Sequence, residues 1–348
     1  MSTTVLLSMI FSMTLGTTLV LCSTHLLTVW MGLEMNTLAI LIMLTLNYHV
    51  RAVEAATKYF IIQAAGAAVL LCAGCLNAYL TGTWDINYTW HPLPGMMATL
   101  ALALKLGLAP VHSWFPEVMQ GVDLLVGLVL STWQKAAPLI VLAQLQLNNI
   151  TVLTIVGLTS MIVGGLGTLN QTQLRKLMAY SSILHLGWIV IISLYSLQLM
   201  LLAYIVYTVI MAAMLLVLSH IKSKSLSELA QACTKAPALT ATTPLILLSL
   251  AGLPPLSGFL PKLMILSELA KNRLIIPATV MTLIALLSTF AYMRMATVMA
   301  LIGAPGSPLL LPQWRNMSLP SNLPMALVIT LTLLLLPFSS LILTLIPS

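Results

Sequence analysis

The sequence predicts an all-α polytopic membrane protein of about eleven transmembrane helices, built as inverted five-helix repeats with two broken helices. Three observations lead there. Only 6% of the 348 residues are charged while 60% are hydrophobic, whereas a water-facing globule needs roughly a quarter of its residues charged. The apolar runs are long enough to cross about 30 Å of hydrocarbon, at roughly 20 helical residues each. They show no strand-like alternation, and backbone groups in lipid must be satisfied within their own segment, so helices are expected rather than a barrel.

Candidate spans lie near 3–22, 26–46, 59–80, 96–120, 124–147, 150–170, 177–198, 199–220, 241–270, 274–300 and 323–347. Loops on the N-terminal side of such a bundle hold Arg51, Lys58, Arg175, Lys176, Lys222, Lys224, Lys235 and Arg315, and those on the opposite side only Lys271 and Arg273. That bias places the N-terminus on the inner side, cytoplasm or matrix, and supports an odd number of spans. The longest connections, near 221–240 and 301–322, leave no room for a water-soluble domain. Residues 1–21 contain no Lys or Arg, so the charged start of a secretory signal is missing and insertion by an inner-membrane route, bacterial or organellar, is expected.

The net charge of +7 is spread singly along the chain and does not describe a nucleic-acid surface. Four cysteines offer neither a disulfide framework nor a paired zinc pattern. Cys72 and Cys75 have a redox spacing, but they sit inside an apolar run with no basic neighbour. They are expected to be small, buried helix-contact residues. Neither a phosphate-cradling glycine motif nor a nucleotide fingerprint is present, and the six histidines are not spaced as metal or haem ligands. Asn87 and Asn149 begin glycosylation triplets that carry meaning only in a secreted protein.

An internal repeat is the most informative feature. Gly107, Leu108, Pro110 and Pro116 recur, each 145 positions later, as Gly252, Leu253, Pro255 and Pro261. The copies fall in the fourth and ninth spans, five helices apart, and that odd number turns the second copy over relative to the first, as in inverted-repeat transporters. The expected division is residues 1–148 for the first repeat, broken near 107–116, 149–303 for the second, broken near 252–261, and 304–348 for a loop and last span. Glycine and proline inside a span interrupt its hydrogen-bond ladder, which is tolerated where protein or water satisfies the freed groups. Either the breaks line a wet path or they are simple kinks.

Ionisable residues inside spans carry the functional argument. Glu34, Lys105, Lys135 and Lys262 lie well within the second, fourth, fifth and ninth spans, and each costs about 2.5–3.5 kcal/mol at a helix centre. Such charges mark a proton or ion route, or they pair statically and lock helices together. One mid-span carboxylate cannot neutralise three lysines. His112, after Pro110, either takes a proton between Lys105 and Lys135 or merely satisfies the helix break. His185, in the polar stripe Ser181-Ser182-Ile183-Leu184-His185, either hydrates the axis or bonds a neighbouring carbonyl. Glu117 and Asp123 read as the end of the fourth span, Glu268 as the end of its own, and Arg294 reaches the N-terminal side by snorkelling.

Four segments together have a family likeness that runs nearly end to end. They are Trp30-Met31-Gly32-Leu33-Glu34-Met35-Asn36, the run from Lys105 through His112 to Val118, Trp133-Gln134-Lys135, and the run from Gly252 to Lys262. The chain resembles the antiporter-like membrane subunits of respiratory complex I, a family related to cation/proton antiporters. That resemblance implies proton translocation across the inner mitochondrial membrane, coupled to NADH oxidation and ubiquinone reduction in other subunits. It implies Glu34 as the modulating carboxylate, Lys105 as the central lysine of the first half-channel, Lys135 as the connecting lysine and Lys262 as the central lysine of the second. It implies no cofactor in this chain, with NADH, FMN, iron–sulfur clusters and ubiquinone held by partner subunits. The implied partners are other membrane-arm subunits, neighbouring antiporter-like ones included, and lipids, but no nucleic acid. One departure remains. By the 145-residue offset Lys262 aligns with Glu117, and Lys105 with Leu250, so the two lysines need not play equivalent roles.

Overall fold

The computed structural model describes residues 3–46, 49–145, 150–232, 237–302 and 324–334. Every regular element among them is a helix, and two isolated β-bridges are the extended pairings there. The chain divides into two compact units, Met1–Ser160 and Met161–Ser348.

The first unit begins with α1 (Thr3–Cys22), α2 (Leu26–Leu44) and α3 (Val50–Thr81). The third helix starts nine residues before the expected span because Arg51, Glu54 and Lys58 continue its pattern into the polar region. Next come α4 (Pro92–Leu106) and α5 (Trp114–Gly121), the two halves of the expected fourth span. Helix α4 opens with proline in its first turn and ends at Gly107, whose φ of 75° lies in the left-handed region and whose N–H bonds back to Ala103 and Leu104 carbonyls. Glycine takes that conformation without a Cβ penalty, and Pro110 then forbids resumption until Trp114.

The fifth expected span is also interrupted, into α6 (Leu124–Ser131) and α7 (Trp133–Gln144), at Thr132. No glycine or proline sits at that point to announce it. Thr132 stays in the right-handed region but far from ideal helical values, at φ −109° and ψ −73°, and its hydroxyl donates to the Leu128 carbonyl. A side chain competing for its own helix's carbonyls in this way bends helices. Six residues on, Pro138 lies inside α7 and cannot give an N–H to the carbonyl of Gln134.

The boundary between units falls within α8 (Ile150–Thr168). Then come α9 (Leu174–Ile192), α10 (Leu197–Ile221), the short α11 (Leu226–Gln231), α12 (Pro237–Ala251), α13 (Phe259–Lys271) and α14 (Ile275–Ile302). A further apolar helix, α15, covers Pro324–Leu334. Helix α12 ends as α4 does, at a glycine with φ of 80°, Gly252, followed by Pro254 and Pro255 before α13 starts.

Each unit also carries the same backbone staple. In the first, Leu26 N–H donates to the Trp84 carbonyl and Ile86 N–H to that of Thr24. In the second, Leu174 donates to Lys224 and Leu226 to Thr172. Both staples tie the start of the second long helix of the unit to the segment after its third.

Among the described residues seven helical stretches, with α6 and α7 taken together as one, are long and apolar enough to cross a membrane. Their outer faces carry Leu7, Phe11, Ile61, Leu283 and Phe290 exposed, while Asn36, Gln63, Gln134 and three lysines are buried. That distribution inverts the one expected in water. The cysteines in α3 correct the expectation from sequence: Cys72 and Cys75 are exposed. Three residues apart, they share one helix face, and Ala73 and Gly74 between them are the buried pair. Asn149 and Cys233 lie outside the described residues.

Candidate functional site

In the first unit the broken helix is where the charges gather. Lys105 sits in the last turn of α4, 3% exposed, with its Nζ 4.0 Å from Oε1 of Glu34 on α2. The Glu34 side chain keeps 25% of its surface exposed, and its Oε2 accepts from the Thr37 hydroxyl at 3.1 Å. A separation of 4.0 Å is an electrostatic contact rather than a formed hydrogen bond, and Lys105 Nζ has no hydrogen-bond partner. Its position at the C-terminal end of α4 suits a cation, because the last carbonyls of a helix carry partial negative charge.

Lys135 is placed by α7. It is 2% exposed, and its Nζ lies 4.0 Å from the centre of the Phe115 ring on α5, a cation–π distance. Phe115 in turn packs edge-on to Trp114, and Trp114 against Tyr59 of α3. The start of α5 thus joins the surroundings of Lys135 to α3.

His112 is half-buried in the break, and its Nδ1 lies 3.2 Å from the Pro110 carbonyl two residues away. That contact is local to the break. Glu117, in the first turn of α5, accepts from Lys58 Nζ at 2.8 Å, and the same ammonium reaches Glu54 at 2.7 Å. The cluster is exposed and fastens α5 to the N-terminal end of α3.

In the second unit Lys262 lies in the first turn of α13, after its break, yet its side chain folds back across it. The ammonium donates to the Ala251 carbonyl at 2.8 Å and the Leu250 carbonyl at 3.3 Å, in the last turn of α12. Leu250 is the residue that aligns with Lys105. The charged group of Lys262 therefore stands, within its own unit, at the end of the helix entering the break, which is where Lys105 stands in the other. Gly252 makes room for it: a Cβ there would come 2.9 Å from Lys262 Nζ. The turn is anchored by Ser257, whose hydroxyl donates to the Thr332 carbonyl of α15 at 2.6 Å.

His185 lies on α9, against which α13 packs. Its ring centre is 5.8 Å from that of Tyr207, and its Nε2 is buried without a partner. Arg294 donates to Asn170 Oδ1 at 2.7 Å, beside a cavity of about 210 Å³. Among the described residues no three His, Cys, Asp or Glu side chains are grouped to hold a metal ion.

The structure adds polar residues that sequence reading passed over. Gln63 Nε2 donates to the Lys105 carbonyl, and Gln134 Nε2 to the Tyr59 hydroxyl. Their signal in the sequence is faint: two polar residues four apart, Tyr59 and Gln63, in an otherwise apolar stretch, and an amide beside Lys135.

Comparison with known proteins gives the family. Residues 23–290 match the NADH:quinone oxidoreductase/Mrp antiporter transmembrane family. The NADH-ubiquinone oxidoreductase chain 2 of Gadus morhua is 49% identical over 331 residues, covering 95% of both chains. That of Tetraodon nigroviridis is 48% identical over 345 residues, covering 99% of both. Among solved structures, a chain of respiratory complex I from Thermus thermophilus with bound aureothin is similar at TM-score 0.84 and 27% identity, over 97% of this chain and 78% of that one. A chain of the Mrp complex from Dietzia sp. DQ12-45-1b shares the fold at TM-score 0.81 and 17% identity, over 96% of this chain and 75% of that one. With more than half its length matched and relatives near 50% identical end to end, this chain belongs to the NADH:quinone oxidoreductase/Mrp antiporter transmembrane family.

Proposed function

We propose that the chain is a membrane-arm subunit of respiratory complex I that translocates protons across the mitochondrial inner membrane while other subunits oxidise NADH and reduce ubiquinone. The observation that carries this is the buried Lys105 ammonium, 4.0 Å from Glu34, at the end of a helix broken inside the membrane. A charge at that depth is costly unless the site uses it. Each proton moved against about 100 mV costs roughly 2.3 kcal/mol, and partner subunits that hold NADH, FMN, iron–sulfur clusters and ubiquinone supply it.

In this reading the chain has eleven spans with its N-terminus in the matrix. Residues 1–148 and 149–303 are inverted repeats, and 304–348 add a last loop and span. Support comes from the shared register of Gly107 with Gly252, from their matching left-handed φ angles, and from the paired backbone staples. Its neighbours are other antiporter-like subunits and lipids.

The relay uses Glu34, Lys105, Lys135 and Lys262. Attraction between Glu34 and Lys105 sets what it costs Lys105 to hold a proton, so a shift in their separation turns a conformational signal into proton movement. Lys135, shielded by Phe115, receives from Lys105. Lys262 stands ready against open carbonyls that hold its ammonium in place. His112 and His185 are auxiliary: His185 lends a buried, unpartnered nitrogen to the second unit's polar stripe, and His112 lines the first break.

The test is the assembled complex in liposomes carrying Lys105→Met. Electron transfer with uncoupler is expected to persist while the proton-to-electron ratio falls. A full ratio in that variant overturns the reading.

A further inference from the structure

Within the first unit, one face of α3 is polar where it should be apolar. Tyr59 and Gln63, one turn apart and therefore stacked on the same side of the helix, are 0% and 1% exposed. Gln63 reaches the Lys105 carbonyl on α4 at 3.2 Å. Tyr59 accepts from Gln134 of α7 at 2.8 Å, one residue from Lys135. The two side chains thus span from the residue that carries one buried lysine to the neighbour of the other.

Around them, polar atoms are left over. Gln63 Oε1, Gln134 Oε1, Trp114 Nε1 and Lys105 Nζ are all buried without a hydrogen-bond partner. Trp114 packs at a tilt against Tyr59, with 5.9 Å between ring centres, so its indole belongs to the same cluster. Pro138 also removes the helical donor from the Gln134 backbone carbonyl. An orphaned buried polar group costs about 1–3 kcal/mol, and buried water that joins several such groups is the usual remedy. Two acceptors and two donors concentrated between α3, α4, α5 and α7 are what a small water cluster needs.

We infer that Tyr59, Gln63 and Gln134 form the bridge between Lys105 and Lys135, holding water against the α3 face and passing the proton through the Tyr59 hydroxyl. The inference rests on the lysine relay proposed above and adds the groups that connect it. Gln134 occupies one lone pair of the Tyr59 oxygen, leaving the other lone pair and the O–H free to accept from one water and donate to the next. A proton leaves Lys105 Nζ for a water, each member of the chain passes on its own proton, and the last N–H bond forms on the Lys135 amine. No charge remains on the bridge.

The experiment compares Tyr59→Phe, Gln134→Leu, the double variant and Lys105→Met in the assembled complex in liposomes. It reads the NADH-driven proton-to-electron ratio across pH, alongside uncoupled electron transfer. Tyr59→Phe keeps the ring that packs on Trp114, so the fold is retained. Each single variant is expected to lower the ratio and alter its pH profile without loss of uncoupled electron transfer, the double variant falling no further than the worse single. If Lys105→Met abolishes pumping while Tyr59→Phe keeps the full ratio and an unchanged pH profile, the bridge is overturned and the lysine relay stands. If Lys105→Met pumps fully, the relay itself fails and the bridge with it. Should Gln134→Leu not assemble, the wild-type complex decides by high-resolution density. Water beside Gln63 Oε1, Gln134 Oε1 and Trp114 Nε1 supports the bridge, and a dry contact there overturns it.

Discussion

The two breaks bring an ammonium to the same place by different routes. In the first unit the lysine belongs to the helix that enters the break and looks across at a carboxylate, with no hydrogen bond of its own. In the second the lysine belongs to the helix that leaves the break and reaches back to cap the preceding helix through two carbonyls. Lys105 is thus electrostatically poised but weakly held, while Lys262 is held firmly by hydrogen bonds that also finish a helix. In each unit the charge stands at the end of the helix that enters the break, although the two lysines do not share a register position.

The largest effect expected from this contrast appears when each lysine becomes methionine. Under the proposed relay, both variants are expected to lose most of the pumping. Lys105→Met removes no hydrogen bond and relieves a buried charge, so the local fold is expected to hold. Lys262→Met leaves the Leu250 and Ala251 carbonyls without their donor, at about 1–3 kcal/mol. Hydrogen exchange in the intact complex should show faster opening by about one to two orders of magnitude at the end of α12, with the end of α4 unchanged. Equal loss of protection at both ends would break the comparison.

Next comes Gly252→Ala against Gly107→Ala. Both force an alanine into the left-handed region, costing about 1–2 kcal/mol. At Gly252 the new methyl also meets Lys262 Nζ at 2.9 Å, while at Gly107 it meets the Trp114 ring and Phe115 Cβ at 3.3 Å. Gly252→Asn and Gly107→Asn relax part of the backbone strain, since asparagine tolerates that region. Pumping should recover at position 107 and stay impaired at 252, where the crowded ammonium remains. The assay is the proton-to-electron ratio of the four variants.

A smaller effect separates Glu117 from Lys262, which share a register position. Glu117 serves an exposed cluster with Lys58 and Glu54, and exposed ion pairs contribute little. Glu117→Gln is expected to leave pumping intact and loosen α5 from α3 only slightly, seen as modestly faster exchange at residues 114–121. A pumping defect there would show that register, after all, carries the role.

These contrasts also show what the sequence could disclose. Apolar length exposed the long helices, and glycine with proline marked the interruptions at 107 and 252, because those residues act on the backbone directly. The charges at 34, 105, 135 and 262 stood out because lipid makes them expensive. Four things stayed hidden. The interruption at Thr132 has no glycine or proline at the break itself to mark it, the nearest being Pro138 six residues on. The reach of Lys262 across its break depends on a flexible side chain. Cys72 and Cys75 face outward because the packing of Ala73 and Gly74 fixes the rotation of α3, a property of the neighbouring helix rather than of the run itself. Tyr59 and Gln63 were unremarkable until α4 and α7 were set beside them.

The smallest effect concerns the staples. In the second unit the strand-like pairing of Gln173 with Ser225 is followed by a capping box: Ser225 caps α11, and Glu228 accepts from the Lys224 and Ser225 N–H groups. Donation first by the Lys224 amide, then by Ser225, holds the exposed Glu228 carboxyl below its ordinary value of 4.5. A carboxyl whose folded value is depressed contributes stability that is fully present above the unfolded value and disappears as pH falls through the folded one. The first unit's staple, between His25 and Asp85, has its start capped instead by a ring nitrogen, His25 Nδ1 accepting from Leu27. Lowering pH from above 4.5 should therefore deprotect the amides of Lys224 and Ser225, relative to intrinsic exchange, while Glu228→Gln should remove that acid-dependent step. If wild type and Glu228→Gln lose protection along the same curve, the carboxylate is not what secures the second staple.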